Sequence, residues 1–297
     1  MKVSLQPKDL YTVVCRPGLP KDRQDILELD KDIWEGTDYI PQALDSWLAD
    51  PEGLLAVAEY AGKVVGIGKL TQFTPQDWYL EGLRVDPRFE GHGVASKLHH
   101  YLVDFWLRLG AGFLRLVTAS FRLPVQHLCE QTGFLKLGEV TFFRADAIKE
   151  EAPFSPLSAG DASSALTFLQ QSPTLALTWG LIDLGWEWTA PAEKFLEERR
   201  LVDRIWWWRE RQGLLAIYED DEDEEAYPYL GMVACTEKDI PELLSDYRRL
   251  VSGLGYAKAC WRAPLDPDLM PVLETTGFRR NWEDSLFVYE KPYPQHP

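Results

Sequence analysis

One segment of this chain occurs twice, and that recurrence limits its possible folds more than any other feature. "CEQTGFLKLG", beginning at Cys129, returns as "LETTGFRRNW", beginning at Leu273, 144 positions later in a chain of 297 residues. The surroundings repeat in the same order. "LSAGDASSALTFLQ" matches an early strand-to-helix passage, "RIWWWRERQGLLAIYED" a hairpin, "YLGMVACTEKDIPELLSDYRRLVSGLG" a strand, loop and helix, and "YAKACWRAP" the strand after it. Self-similarity at a fixed offset means one structural unit built twice. The length suffices for two cores of ordinary size. The expected division is 1–148 and 149–297, because "KEEAPFSP" supplies charges and prolines at the join.

The first copy reads clearly. Leu10–Arg16 is β-rich and closed by Pro17-Gly18, and Pro20 opens a helix with Ile26, Leu27, Leu29 and Ile33 on one face. Pro41–Leu48 suits a second helix. Leu54–Ala61, Lys63–Phe73 and Trp78–Val85 read as antiparallel strands, followed by a helix over Gly93–Leu109 and a strand over Gly112–Ala119. A helix over Pro124–Thr132, ended by Gly133, and a pair of strands over Phe134–Phe143 close the copy. The expected fold class is mixed α/β, a mostly antiparallel sheet flanked by helices, in two tandem domains.

Charge and composition exclude several functions. A formal net charge of −16 and a pI near 4.8 leave no basic face for nucleic acid. Met1–Asp9 lacks the apolar core of a signal peptide, and no window holds the roughly 18 apolar residues of a membrane span. A soluble cytoplasmic protein, monomer or homodimer, is expected. Its four cysteines and five histidines show no metal-ligand spacing, so no metal is expected. The acidic run Glu219–Glu225 reads as a solvated hairpin tip.

The chemistry gathers at "YLEGLRVDPRFEGHGVASKLHHYLVDFW", Tyr79 to Trp106, where glycines stand between a strand and a helix. Lys-Ser or Lys-Thr after the second glycine would mark a nucleotide loop, and a third glycine three residues on would mark a dinucleotide loop. Ser96 stands at that place. The pattern Arg88-Phe89-Glu90-Gly91-His92-Gly93-Val94-Ala95 after Val85-Asp86-Pro87 resembles the coenzyme A pyrophosphate loop of the GCN5-related N-acetyltransferase family. Glycines admit an anion to the backbone, and the N–H groups opening a helix, with its dipole, receive it. Residues 88–95 are therefore the expected coenzyme site, with acetyl-coenzyme A as cosubstrate. Trp34 to Ala95 further resembles the vertebrate histidine N-acetyltransferase subgroup. That resemblance implies a small amine, such as a free amino acid, as acceptor.

Amine acetylation requires a neutral nucleophile, and amines arrive protonated at neutral pH. Glu81 lies on the strand along which this family lays the pantetheine arm, and is the expected general base. Strand alternation would put it on one face with Leu83 and Val85, opposite Gly82 and Arg84. The alternative for Glu81 is a buried salt bridge with Arg84 or Arg115. Backbone N–H groups near Leu83 and Val85 are the expected oxyanion donors. The family's frequent tyrosine acid is replaced by Cys129, which reads as a buried helix thiol. Glu35, Asp38 and Tyr39 are the expected acceptor-site residues, since the family forms its acceptor groove in this region. In the second copy "TEKDIPEL", Thr236 to Leu243, has no glycine and places Glu237 and Asp239 where a pyrophosphate would need donors. That copy is expected to be degenerate, with Trp206-Trp207-Trp208 as core plus interface rather than a ligand cage. The chain is thus expected to acetylate a small amine, the alternatives being a coenzyme sensor without turnover or an acetyltransferase for peptides.

Overall fold

The computed structural model describes residues 12–31, 33–109, 111–202, 204–220 and 226–294. The first copy follows the order β1 (Val14–Pro17), α1 (Arg23–Asp30), α2 (Ile40–Ala49), β2 (Leu54–Tyr60), β3 (Lys63–Thr74), β4 (Asp77–Val85), α3 (Val94–Leu109), β5 (Phe113–Ala119) and α4 (Leu123–Gln131). Apolar spacing builds the layers. Val94, Leu98, Leu102 and Trp106 recur every fourth residue, so α3 buries one stripe against the sheet. On the opposite face, Ile26 and Leu29 of α1 and Ile40, Leu44 and Trp47 of α2 pack on Leu55, Val57, Val64 and Ile67 of β2 and β3.

The remainder runs β6 (Leu135–Asp146), β7 (Phe154–Pro156), α5 (Ala162–Gln171), β8 (Ile182–Asp183), β9 (Trp188–Thr189), α6 (Glu193–Leu201), β10 (Ile205–Trp208), β11 (Gly213–Asp220), β12 (Tyr227–Ala234), α7 (Ile240–Gly253), β13 (Lys258–Pro264), α8 (Leu269–Thr275), β14 (Arg279–Arg280) and β15 (Leu286–Pro292). Phe134–Phe143 is not a pair of strands. β6 continues through Asp146 without a turn, since "LKLGEVTFFRAD" contains neither a proline nor a two-residue turn signal.

The repeat holds in detail. β2, β3 and β4 form an antiparallel meander, and β4 then pairs in parallel with β5 across α3. β10, β11 and β12 do the same, with β12 parallel to β13 across α7. The duplicated Thr-Gly-Phe ends both α4 and α8. Gly133 (φ +76°) and Gly277 (φ +86°) take the left-handed conformation, and the Phe134 and Phe278 N–H groups donate to Cys129 and Leu273 carbonyls at 2.9 Å. The tryptophan run is core: Trp206 and Trp208 pack with Leu243, Leu244 and Tyr247 of α7. Residues Asp221–Glu225 of the acidic run lie outside the described residues; β11 and β12, which flank it, are antiparallel.

The compact units are cut differently from the expected halves. Unit 1 comprises Met1–Leu116, Pro124–Leu135 and Glu290–Pro297, and unit 2 comprises Val117–Leu123 and Lys136–Tyr289. The physical reason is the last strand. Within unit 1, Glu290 binds the Arg115 guanidinium at 2.7 Å, and Arg115 also binds Asp77, all three being largely buried. Tyr293 donates its N–H to Gly112 O at 2.7 Å and its hydroxyl to Leu107 O at 3.0 Å, with its ring edge-on to Trp106.

Removing residues 290–297 strips Arg115 of one carboxylate and uncovers Trp106. The truncated chain is expected to lose about 2–4 kcal/mol, read as a lower urea midpoint. An unchanged midpoint would show that the segment adds nothing to unit 1.

Candidate active site

β4 carries the site, and its register decides what faces what. Gly66 pairs with Val85, Ile67 with Arg84, and then Lys69 with Glu81, leaving Gly68 on one strand and Gly82 and Leu83 on the other outside the ladder. Opposed residues share a face, as do residues two apart on one strand. Glu81 therefore shares a face with Lys69, Lys69 with Ile67, and Ile67 with Arg84. This is the face of α1 and α2, where Ile67 packs near Trp47. Val85 opposes Gly66, and a Cβ on Gly66 or Gly68 would meet Leu98 or Leu102 of α3, so Val85 belongs to the other face. Leu83 lies on it too, its Cδ1 being 3.6 Å from a Cβ placed on Gly68. The expected grouping of Glu81 with Leu83 and Val85 is thus overturned. The bulge shifts the phase of the strand between Glu81 and Leu83.

Gly82 makes that shift possible. Its φ is +60°, and a Cβ there would lie 2.4 Å from the Trp47 ring. On its other edge β4 pairs with β5 only through Asp77, Trp78 and Tyr79. From Leu80 onward, among the described residues, β5 supplies no ladder partner to β4. Glu81 stands just past this parting.

Glu81 accepts a hydrogen bond at 2.5 Å from the Thr71 hydroxyl. Burial pushes its carboxyl above the usual range; the Thr71 bond and Lys69 pull it down, and Asp50 pushes it up. Neither expected arginine pairs with it. Arg84 grips Asp38 with Nε and Nη2 at 2.5 and 3.0 Å, and Arg115 is held by Asp77 and Glu290.

The glycine loop stands where the sequence places it. Asp86 accepts the Arg88 N–H at 2.9 Å and holds its guanidinium, while Phe89 is buried against Tyr60, with ring centroids 5.5 Å apart. Val94 is buried as well. The side chains of Arg88, Phe89 and Val94 therefore brace the loop. His92 Nδ1 lies 2.8 Å from the Glu90 carbonyl oxygen. Gly91 and Gly93 have φ of +75° and +77°. The first intrahelical bond runs from Lys97 N–H to Gly93 O at 3.0 Å, so the N–H groups of Val94, Ala95 and Ser96 precede the helix ladder. That donor set suits a pyrophosphate.

The expected acceptor residues divide. Tyr39 is exposed and meets Trp47 edge-on at 5.9 Å, and Glu35 is exposed in a left-handed turn (φ +58°). Asp38 is buried on Arg84. Beside it lies Asp30, which sequence reasoning missed: burial and then the Asp38 charge push its carboxyl up to about 7, with Arg84 opposing. Lys69, Thr71 and Asp50 were missed as well. A lone lysine inside the apolar run Val64–Leu70 was the available signal. Cys129 is fully buried, and burial pushes its thiol up to about 12, which disfavours the thiolate that a nucleophile requires.

The chain is similar to known proteins in sequence and in fold. Residues 23–134 match the model of the Acetyltransferase (GNAT) family. The chain carries a GNAT acetyltransferase domain. It is 26% identical over 173 residues to "Histidine N-acetyltransferase" of Oreochromis niloticus, covering 53% of this chain and 48% of that one. The chain thus spans about half the length of the curated relative it matches. Among solved structures, a GCN5-related N-acetyltransferase from Sphaerobacter thermophilus covers 94% of this chain and 95% of its own, with TM-score 0.63 and 13% identity. A tandem GNAT protein from the clavulanic acid biosynthesis pathway covers 96% of this chain and 100% of its own, with TM-score 0.60 and 12% identity. The fold is therefore the tandem GNAT fold.

The second GNAT-like copy departs at each functional position. Its bulge falls at Gly231, between the Ala216–Met232 and Ile217–Leu230 pairs, so the buried Leu230 precedes the glycine where Glu81 does in the first copy. Glu237 and Asp239 stand in the turn before α7, and the first turn of α7 holds Pro241, which has no N–H to offer, and Glu242.

Asp30 gives a pH test of the buried carboxylate pair. Its folded pKa is raised, so the folded state holds the extra proton and stability falls as pH rises from about 4 through about 7. Asp30→Asn keeps a donor toward Asp38 and removes the titration. The variant's advantage over the parent is expected to grow by on the order of 1–3 kcal/mol between pH 5 and pH 8 in urea unfolding. Parallel profiles would disprove the shift.

Proposed function

We propose that this chain is an acetyl-coenzyme A-dependent N-acetyltransferase whose acceptor is the amine of a small molecule, a free amino acid of histidine-like type. The observation that carries the reading is Glu81: a carboxylate with a raised pKa, placed at the bulge of β4 and just past the parting of β4 from β5. Acetyl-coenzyme A supplies the acetyl group as a thioester. The histidine-like acceptor rests on the relatives, and the edge-on aromatic pair Tyr39 and Trp47 is compatible with it.

In this reading Gly91, Gly93 and the N–H groups of Val94, Ala95 and Ser96 hold the pyrophosphate of the coenzyme. Gly82 and Leu83, which stand outside the β3 ladder, turn backbone toward the forming oxyanion. Glu81 takes the proton from the acceptor ammonium. Its raised pKa brings it nearer to the operating pH, where a base is most effective, while leaving it ionised above that pKa. Cys129 does not supply the leaving-group proton, which comes from solvent. The second copy binds no coenzyme, because Glu237, Asp239 and Glu242 repel phosphate at the start of α7.

Thiol release from acetyl-coenzyme A, measured across free amino acids, polyamines and peptides, tests the acceptor class. Release with histidine-like amino acids supports the reading, release only with peptides replaces the acceptor, and coenzyme binding without release with any amine makes the chain a sensor. Glu81→Gln is expected to lower kcat by about 10²–10⁴ and leave coenzyme affinity intact. Titration calorimetry is expected to give one coenzyme per chain, with the heat lost in Gly91→Glu through like-charge repulsion. A stoichiometry of two, or a site that survives Gly91→Glu, overturns the assignment of the loop.

A further inference from the structure

Three groups on β3 and at the end of α2 converge on the carboxylate of β4. Lys69 is directly opposite Glu81 in the ladder, and Thr71 is the next residue along β3 on the same face. The Thr71 hydroxyl donates to Glu81 Oε1 at 2.5 Å, which leaves Oε2 as the oxygen free of that bond. Lys69 is 1% exposed, and a buried ammonium requires a partner. It has two: Asp50, and the Leu70 carbonyl oxygen at 2.9 Å.

Asp50 is presented by a local turn. Its Oδ1 accepts the N–H groups of Glu52 and Gly53 at 3.0 and 3.1 Å, which leaves Oδ2 for Lys69. The space is reserved by Gly53: a Cβ there would lie 2.2 Å from Asp50 Oδ2 and 2.3 Å from Lys69 Nζ. A side chain at position 53 would break the pair. Such a close fit around a buried charge needs a reason, because an apolar residue at position 69 would complete this strand at lower cost.

We propose that Thr71, Lys69 and Asp50 are positioning residues for Glu81: Thr71 fixes the carboxylate by one oxygen so that the other meets the acceptor amine, and the Asp50-neutralised Lys69 sets how readily that carboxylate holds a proton. The inference rests on Glu81 as the base. Because Asp50 takes the Lys69 ammonium, Glu81 forms no direct salt bridge among the described residues. Lys69, Asp50 and Thr71 are the groups that face Glu81 from β3 and the end of α2, and they act in opposite senses. Lys69 and Thr71 favour the carboxylate; Asp50 favours the acid.

The sign of each effect makes the test specific. Thr71→Val removes the donor at nearly constant volume, so the acid limb of the kcat/KM profile is expected to move to higher pH and kcat at neutral pH to fall about tenfold. Thr71→Ser is expected to restore both. Asp50→Asn leaves Lys69 unopposed, and the same limb is expected to move to lower pH. In a Glu81→Gln background neither change shifts the residual profile. For any variant with too little activity to profile, the Glu81 carboxyl is titrated by isotope-edited infrared spectroscopy, with a higher midpoint expected in Thr71→Val and a lower one in Asp50→Asn. A Thr71→Val limb that stays in place, a Thr71→Ser variant as impaired as Thr71→Val, or Asp50→Asn moving the limb upward overturns the proposal. If instead Glu81→Gln is fully active, it is the base assignment that fails.

Discussion

The setting of Glu81 depends on a slip of register in β4. Between Glu81 and Arg84 the strand holds two residues where β3 holds one. This mismatch puts Glu81, Lys69 and Arg84 on the face of α1 and α2 and turns Leu83 and Val85 toward α3. It also takes Gly82 and Leu83 out of the ladder. The cost is a left-handed residue under an indole ring, which only glycine meets without strain. Without the slip, the acidic side chain would point along the same face as the apolar Leu83 and Val85, away from the lysine that steadies it.

The same slip explains where sequence reasoning stopped. Helices and strands were legible because their apolar residues recur at fixed spacings, and the loop of Gly91 and Gly93 was legible because glycine spacing reflects backbone conformation directly. A bulge leaves no such mark. "EGLRV" is as compatible with strict alternation as with a phase shift, so the faces of Leu83 and Val85 could not be read. Lys69, Thr71 and Asp50 come from other elements and reach Glu81 only through strand pairing and a turn. Asp30 is likewise defined by a neighbour eight residues away, Asp38, that comes close only when the chain folds. The division into units escaped too, because the strand that completes unit 1 is encoded far from the rest of it.

The two copies differ in only a few of their features. Both keep the meander, the parallel crossover, the bulge glycine and the Thr-Gly-Phe helix end, all of which serve backbone geometry. Only the first keeps the acid beside the bulge and the glycines before the helix. In the second, the buried Leu230 and the carboxylates Glu237, Asp239 and Glu242 occupy those places. A scaffold this tolerant separates stability from activity, since the residues that build the sheet are not those that would hold a coenzyme.

The Arg115–Glu290 pair sets an order on events during synthesis. Its partners are 175 positions apart in the chain, so at ordinary translation rates the first unit waits about 10–35 s for the strand that completes it. Through that interval Arg115 has Asp77 but not Glu290, and Trp106 lacks the cover of Tyr293. Unit 2 has emerged before the wait ends. The nascent first unit therefore exposes an unfinished sheet edge while the intervening strands are being made, which makes premature pairing of that edge with an earlier-made strand the characteristic hazard of this architecture and gives a chaperone a defined period in which to act.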